Sequence, residues 1–189
     1  SIVLMAKEQE KFPWLGVLTN ACVLSVNAFS LFQCFPYAGK MIVFFGKAKT
    51  KDEAGYYAGF LGSGFMIGRS LTSLFWGVFA DLLGRKKVIV VGCLAMIVFQ
   101  LMFGLSQTFE TALASRILLG IFNGLVATAK TIASEIVPTH RRDWQALSMS
   151  TLSAGVSVAS LMGPALVGWA SEPATQYPGS IFDTPFLRA

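Results

Sequence analysis

Long apolar runs constrain the fold of this chain more strongly than any other feature of its sequence. One run covers residues 57–80 and another covers residues 88–105, and each is long enough to cross a bilayer core of roughly 30 Å as a helix. The stretch between them carries the cations Arg85, Lys86 and Lys87. Because cations cross lipid at high cost and short cytosolic loops are rich in Lys and Arg, this stretch predicts a cytosolic turn between two spans.

The composition agrees with a membrane protein and excludes several other classes. Hydrophobic residues form 54% of the 189 residues and charged residues only 13%, which is far from the composition of a soluble domain. The net charge of +5 does not indicate a nucleic-acid partner, because the cations fall mostly at the ends of apolar runs, where they set topology. Cys22, Cys34 and Cys93 lie inside predicted spans without paired spacing, so we interpret them as packing residues rather than as a disulfide framework or a metal site.

The sequence predicts an all-α, polytopic membrane protein with about five transmembrane helices within residues 14–170. The five spans are predicted at residues 14–37, 57–80, 88–105, 111–137 and 145–169. Residues 1–13 are interpreted as a cytosolic lead-in, and residues 171–189 as a non-cytosolic loop that leads to a missing sixth helix. The chain is therefore expected to be a fragment or a truncated product with its N-terminus in the cytosol. The choice between a vacuolar and a plasma membrane stays open.

The first predicted span is unusually polar for a membrane helix. Polar side chains lie along it at Asn20, Ser25, Asn27, Ser30 and Gln33. Such groups are costly toward lipid, so they face either other helices or an aqueous cavity, and both interpretations stay open. Pro36 is predicted to bend or end the span. The loop predicted after it, residues 39–55, carries lysines on the non-cytosolic side, which is a mild violation of the positive-inside rule.

Cations inside the predicted spans indicate a polar interior. Arg116, Asn123 and Lys130 recur every seven residues of the fourth span, and seven steps of about 100° bring them onto one stripe of a helix that faces the protein interior. Arg69 lies near the middle of the second span, where a charge requires a partner or a water-filled route. For Lys130 three interpretations stay open: contact with an anionic substrate, a pair with a carboxylate in the missing half, or snorkelling to the cytosolic interface.

Two further patterns predict how the spans pack. The second span contains glycines at three- or four-residue spacing, which let another helix approach its backbone closely: Gly55, Gly59, Gly62, Gly64 and Gly68. The tryptophans fall near predicted membrane boundaries, as an aromatic belt requires: Trp14, Trp76, Trp144 and Trp169. The third span is the plainest of the five and is expected to face lipid over much of its surface.

The turn between the second and third spans carries a recognisable motif. Its residues are Gly77, Ala80, Asp81, Gly84, Arg85 and Lys86. The spacing resembles the signature between the second and third helices of the major facilitator superfamily. The resemblance implies a charge network that holds the cytosolic side shut, formed here by Asp81, Arg85, Glu135 and Arg142. The alternative interpretation is a plain basic turn that only holds topology.

Two more motifs support the same family. Residues 116–124 read R-x-x-x-G-x-x-x-G and resemble the fourth-helix motif, whose arginine, here Arg116, is linked to proton coupling. In the fifth span, Gly155 and the run containing Gly163, Pro164 and Gly168 resemble the antiporter motif G-P-x-x-G-G, except that Val167 replaces the first glycine of the closing pair. This departure weakens the indication of antiport and leaves the fold unaffected.

The amino-acid sequence of residues 55–77, together with residues 133–136 and 173–178, resembles that of the zinc-induced facilitator-like group of the drug:proton antiporter branch. No zinc site is indicated, because the single histidine, His140, has neither a cysteine nor a spaced acidic residue beside it. The resemblance implies five helices of the N-terminal six-helix bundle of a transporter. It also implies substrate bound between this half and a missing C-terminal half.

The function expected from the resemblance is transport of a small solute by alternating access, with proton-coupled antiport. The coupling has a gap, since Asp81, Glu110 and Glu135 all lie near predicted interfaces and none lies in the middle of a span; uniport therefore stays open. The partners implied are an unidentified small molecule, protons, the lipid bilayer and the missing half, with no nucleic acid and no cofactor. The alternative is a non-transporting membrane protein or regulatory partner. An enzyme is not indicated, because no nucleophile–base pair, metal spacing or phosphate loop is found.

Overall fold

The structure is a computed structural model that describes residues 11–48 and 51–170. The predictions for most of the lead-in and for residues 171–189 lie outside the described residues. Within the described ranges every regular element is an α-helix, in agreement with the predicted all-α class. The helices are α1 (Trp14–Phe32), α2 (Phe35–Phe44), α3 (Lys51–Leu83), α4 (Arg85–Gly104), α5 (Phe109–Ile121), α6 (Leu125–Glu135) and α7 (Arg142–Ala170).

The first span continues beyond its predicted end. Helix α1 ends at Phe32, and α2 begins at Phe35 after a two-residue break. Pro36 lies in the first turn of α2, where its missing N–H has no intrahelical partner to lose. Pro36 thus coincides with the predicted bend in the span, because α1 ends four residues before it, and it lies in the first turn of the helix that follows. The predicted loop over residues 39–55 is wrong for most of its length, because α2 runs to Phe44 and α3 already begins at Lys51.

The fourth span is also broken, although a single helix was predicted over residues 111–137. Helix α5 ends at Ile121 and α6 begins at Leu125. The Oδ1 atom of Asn123 accepts a hydrogen bond from the Leu125 amide at 3.4 Å, so its side chain covers one of the free donors at the start of α6. A polar residue that was predicted to line the interior thus restarts the helix.

Side chains of a neighbouring helix donate hydrogen bonds to the carbonyl at the end of α5, on the other side of this break. The Ile121 carbonyl at the end of α5 accepts hydrogen bonds from Thr72 Oγ1 at 2.9 Å and from Trp76 Nε1 at 2.7 Å. Both donors belong to α3. Because the last carbonyls of a helix have no intrahelical partner, these two bonds stabilise the interruption.

Within residues 11–48 and 51–170, four segments are long and apolar enough to cross a membrane: Trp14–Phe44, Arg85–Gly104, Phe109–Glu135 and Arg142–Trp169. They match four of the five predicted spans in the described part of the chain. The fifth, α3, has 33 residues and is long enough. Its glycines, serines and Arg69 lower its mean hydropathy, so it does not meet the same composition criterion. A helix that packs along other helices requires less apolar surface than one that faces lipid.

The helices pack in two close pairs, α1 with α7 and α3 with α5. Helix α4 lies against α5 and leaves an apolar stripe uncovered at Val90, Leu94, Ile97 and Leu101, each between 49% and 61% exposed. Its opposite face is buried through Val88, Met96 and Phe103. An exposed apolar stripe of this length is typical of a surface that contacts lipid, as predicted for the third span.

Candidate functional site

The candidate site is a partly open cavity of about 420 Å³ lined by residues of α1, α2, α3, α5, α6 and α7. Its walls are mainly apolar, with Leu24 and Phe65 among the lining residues. Three cations from three different helices also line it: Arg69 of α3, Arg116 of α5 and Lys130 of α6. We call this space the cation-lined cavity. No Asp or Glu is among the described residues that line it.

Arg116 is almost completely buried, with 1% of its surface exposed. Its guanidinium carbon lies 3.9 Å from the centroid of the Phe103 ring, which is a cation–π contact. The Cys34 thiol also lies within hydrogen-bonding reach of the guanidinium. The Nε and Nη2 atoms nevertheless have no hydrogen-bond partner among the described residues. Buried donors are nearly always paired, so these two atoms identify a position where an acceptor belongs.

The predicted stripe on the fourth span is only partly observed. Arg116 and Lys130 line the same cavity, although they lie on separate helices. Asn123 is buried but is not among the lining residues, because the helix breaks at its position. Lys130 is exposed toward the cavity, and Arg69 is half-buried there.

A second charged group joins the end of α3 to the end of α6. Arg85 forms an ion pair with Glu135, and its Nη2 atom lies 3.6 Å from Asp81 Oδ1. We call these three residues the Arg85 cluster. Arg142 is exposed and makes no ion pair with a carboxylate in the described part of the chain. Its neighbour Arg141 instead lies 3.6 Å from Asp143 and 4.1 Å from the Trp144 ring.

The turn motif has the geometry that its glycine predicts. Gly84 has φ of +90°, a region that glycine adopts without steric cost, and α4 begins at the next residue. Ala80 is 7% exposed and packs inside, whereas Lys86 is exposed. A Cβ atom at Gly77 would meet nothing within 4 Å, so packing among the described residues does not require glycine there.

The glycines of the fifth-span motif face the first span. A Cβ atom at Gly155 would lie 2.5 Å from Ser25 Oγ, and one at Gly163 would lie 3.3 Å from the Phe29 carbonyl oxygen. Gly168 is similarly placed beside Pro36 of α2. Pro164 lies inside α7, which continues to Ala170. The motif therefore forms the contact face of α7 against α1 and α2.

The polar residues of the first span divide between the two roles left open by the sequence. Asn20 donates through Nδ2 to the Ala129 carbonyl of α6 at 2.8 Å, which is an interhelical bond. Asn27 lines the cation-lined cavity, and its Nδ2 lies 3.8 Å from the Met96 sulfur. Sequence analysis did not identify the hydrogen bonds of Thr72 and Trp76. The sequence signal that could have indicated these bonds is the spacing of Thr72 and Trp76, which places a hydroxyl and an indole one turn apart on a glycine-rich helix.

One of the lysines that violate the positive-inside rule, Lys47, forms an ion pair. Lys47 Nζ lies 2.7 Å from Glu110 Oε1. The hydrogen bond to Glu110, together with the charge of its carboxylate, raises the pKa of Lys47. The pair lowers the net positive charge of this side of the bundle, which reduces the conflict with the predicted topology.

The described residues contain no group of three or more His, Cys, Asp and Glu side chains that could hold a metal ion. The charged features of this part of the chain are therefore the cation-lined cavity, the ion pairs and solvated side chains. None of these arrangements provides the ligand set of a zinc site.

The family model for the Major Facilitator Superfamily matches residues 14–182. Protein ZINC INDUCED FACILITATOR 1 of Arabidopsis thaliana is 42% identical over 88% of this chain and 32% of its own length. Protein ZINC INDUCED FACILITATOR-LIKE 1 of the same plant is 38% identical over 92% of this chain and 36% of its own length. The Major facilitator superfamily multidrug transporter mfsB of Aspergillus fumigatus is 31% identical over 93% of this chain and 30% of its own length.

No solved structure gives a significant match to the chain. The chain spans about a third of the length of these curated relatives. The family match covers nearly all of the helical bundle, including the turn motif, the Arg116 motif and the fifth-span glycines. The chain is therefore an integral membrane protein that belongs to the major facilitator superfamily.

Proposed function

We propose that a longer protein containing this chain moves a small solute across a membrane by alternating access, and that proton-coupled antiport drives the movement. The observation that carries the proposal is the cation-lined cavity, in which Arg69, Arg116 and Lys130 lie inside a bundle of membrane helices. Intramembrane cations are costly, and they are retained chiefly along substrate and ion pathways. The names of the relatives, which include a multidrug transporter and zinc induced facilitators, support transport.

Arg116 contributes to coupling by its charge and not by carrying a proton. A guanidinium is not deprotonated in proteins, so the proton must travel on another group. A buried cation lowers the pKa of a carboxylate placed beside it, and binding or release of a proton would then depend on the distance between the two groups. Because no described carboxylate lines the cavity, this acid would come from another part of the protein. Uniport is the alternative if no such acid exists.

The Arg85 cluster supports a latch that closes one side of the transporter. Arg85 is the first residue of α4, and Glu135 is the last residue of α6. A cation at a helix N-terminus and an anion at a C-terminus both oppose the helix dipole, so neither charge stabilises its own helix. Their ion pair instead links the ends of two helices, which is the arrangement that a latch able to open and close requires. By the positive-inside rule this side is cytosolic; the latch residues would be Asp81, Arg85 and Glu135, with Arg142 joining only in another conformation.

The second candidate is a non-transporting partner that pairs with a full-length relative. Such a partner would keep the helix contacts at Gly68 and Gly120 but would not require cations in the cavity. We propose no enzymatic activity, because the described residues that line the cation-lined cavity include no nucleophile paired with a base.

The experiment is reconstitution of the longer protein into liposomes that contain a pH-sensitive dye. A panel of labelled anionic, neutral and cationic solutes is offered with and without a pH gradient. Antiport predicts that one class of solute accumulates only with the gradient, and that a protonophore abolishes the accumulation. Solute movement that ignores the gradient would support uniport. Liposomes that move no solute, despite correctly inserted protein, would refute transport.

A further inference from the structure

We propose that an anionic phospholipid binds the outer surface of the bundle, with its phosphate at Arg141 and one acyl chain in a groove between α1 and α7. The groove is separate from the cation-lined cavity, since the two share no lining residue. The proposal does not depend on transport. It rests on the groove, on the aromatic rings at one end of it and on the arginine beside those rings.

The groove, which we call the α1/α7 groove, is open along one side and has a volume of about 640 Å³. Its polar side chains are satisfied within their own helices, because Ser25 Oγ donates to the Ala21 carbonyl at 2.8 Å and Thr151 Oγ1 donates to the Leu147 carbonyl at 2.7 Å. The groove therefore offers an occupant mainly apolar contacts. Apolar side chains from both helices line it, among them Leu18, Val26, Phe29, Val158, Met162 and Leu166.

Tryptophans lie at the end of the groove where both helices begin. Trp14 precedes Leu18 by about one helical turn, and Trp144 precedes Thr151 by about two turns, so each ring lies on the stripe that lines the groove. From Thr151 to Leu166 the groove runs about 22 Å along α7. This length exceeds half the thickness of a hydrocarbon core of about 30 Å. An acyl chain whose headgroup lies at the tryptophans therefore fits along the groove.

Arg141 supplies a cation at the same end of the groove. Its guanidinium carbon lies 4.1 Å from the centroid of the Trp144 ring, and the Phe12 ring packs against Trp144 with the centroids 5.6 Å apart. The Asp143 carboxylate lies 3.6 Å from Nε of Arg141, which is beyond the usual length of a hydrogen bond. The guanidinium is thus positioned by a ring and keeps donors for a phosphate, whose geometry it matches.

The groove and the cation together select an anionic lipid over other occupants. An apolar transmembrane helix would fill the groove without pairing the cation, whereas a free phosphate would pair the cation and leave the groove empty. The positive-inside rule places this end of the bundle in the cytosol, where the leaflet carries anionic lipid. Lys11 and Arg142 are exposed at the same end and add positive charge.

The test is photocrosslinking of the purified chain in phosphatidylcholine nanodiscs. The nanodiscs contain a small, equal amount of either phosphatidylserine or phosphatidylcholine that carries a photoreactive group in one acyl chain, and mass spectrometry identifies the crosslinked peptides. We expect the phosphatidylserine probe to label residues 14–29 and 151–166 at least about fivefold more than the phosphatidylcholine probe, as one cation near anionic lipid predicts. Equal labelling by the two probes, or no labelling, would overturn the proposal.

Two variants separate the headgroup contact from the groove. Arg141→Gln should abolish the preference for phosphatidylserine, whereas Lys87→Gln, an exposed lysine outside the groove, is the matched control and should keep it. Ala154→Phe fills the groove and should reduce labelling of residues 151–166 by both probes several-fold. Its control is Leu161→Phe, on the exposed surface of α7 outside the groove. An unchanged preference in Arg141→Gln, or unchanged labelling in Ala154→Phe, would refute the site.

Two further arms identify the occupant. If both segments are labelled in the chain but not in the longer protein, a helix of the longer protein covers the groove and the lipid proposal fails; labelling with the same preference in the longer protein supports it. Excess water-soluble glycerophosphoserine should not reduce the labelling. Competition by this headgroup would show that Arg141 binds a free phosphate ester and would overturn the lipid assignment.

Discussion

The crossing of α3 over α5 leaves no room for a side-chain carbon at Gly68. A Cβ atom at this position would lie 2.4 Å from the carbonyl oxygen of Ile117 and 3.1 Å from the backbone nitrogen of Ile121. Because a carbon atom rarely approaches a carbonyl oxygen closer than about 3.3 Å, Gly68→Ala requires the two helices to separate by roughly 1 Å. The obstructing atoms belong to the backbone and cannot rotate away.

The expected cost follows from this geometry. Overpacking of a tight contact costs about 1–3 kcal/mol, and alanine regains at most about 1 kcal/mol over glycine as a helix former. We expect a net loss of about 2 kcal/mol for Gly68→Ala, toward the upper end of the range because backbone opposes backbone. Gly59→Ala is the matched control on the same helix, since its Cβ would meet nothing within 4 Å; it should be neutral or slightly stabilising.

The assay is unfolding in mixed micelles titrated with sodium dodecyl sulfate, followed by tryptophan fluorescence. Helices persist in the denatured state of such an assay, so the signal reports the loss of packing between them. The reasoning would be refuted if the free energies of unfolding of Gly68→Ala and Gly59→Ala agreed within about 0.5 kcal/mol, the usual spread for neutral changes.

Three further outcomes are expected. Asp81→Asn should cut transport by the longer protein strongly while changing the free energy of unfolding by less than about 1 kcal/mol, because the Asp81 side chain is exposed and lies 3.6 Å from Arg85. Asp143→Asn is the control. Normal uptake by Asp81→Asn would refute the latch. Arg116→Ala should abolish proton-driven flux in a pH-gradient assay, and retained flux would exclude its coupling role. Trp76→Phe, which removes the donor to Ile121, should lower the free energy of unfolding by about 0.5–1.5 kcal/mol, whereas no change in mixed-micelle unfolding would show that Thr72 alone stabilises the break.

The fold was largely predictable because few backbone structures are stable in the hydrocarbon core of a bilayer. A membrane-spanning backbone must satisfy its hydrogen bonds internally, so long apolar runs become helices. The basic turn after Asp81 separates two of them, and the positive φ of Gly84 was expected from its place in a tight reversal. The family motifs confirmed the fold independently, since they depend on spacing rather than on hydropathy.

The helix breaks were not predictable from the same signals. Hydropathy averages over many residues, so it does not register an interruption of two or three residues. Pro36 was predicted to bend or end the span, but the pattern did not show that a second helix would begin at Phe35, where proline fits the first turn. At Asn123 the break depends on Thr72 and Trp76 of another helix, and a local pattern contains no information about such partners.

The candidate site depends on both the predicted stripe and the break that interrupts it. Arg116 lies on α5, which is fixed to α3 by the crossing at Gly68 and by the bonds to Ile121. Lys130 lies on α6, where the Ala129 carbonyl accepts a bond from Asn20 of α1. Helix α6 also packs against α3 and α4, so one bundle holds both cations. Seven-residue spacing predicted that Arg116, Asn123 and Lys130 share one stripe of a helix. The break moves Asn123 out of the lining and leaves Arg116 and Lys130 to reach the same cavity from two separate helices.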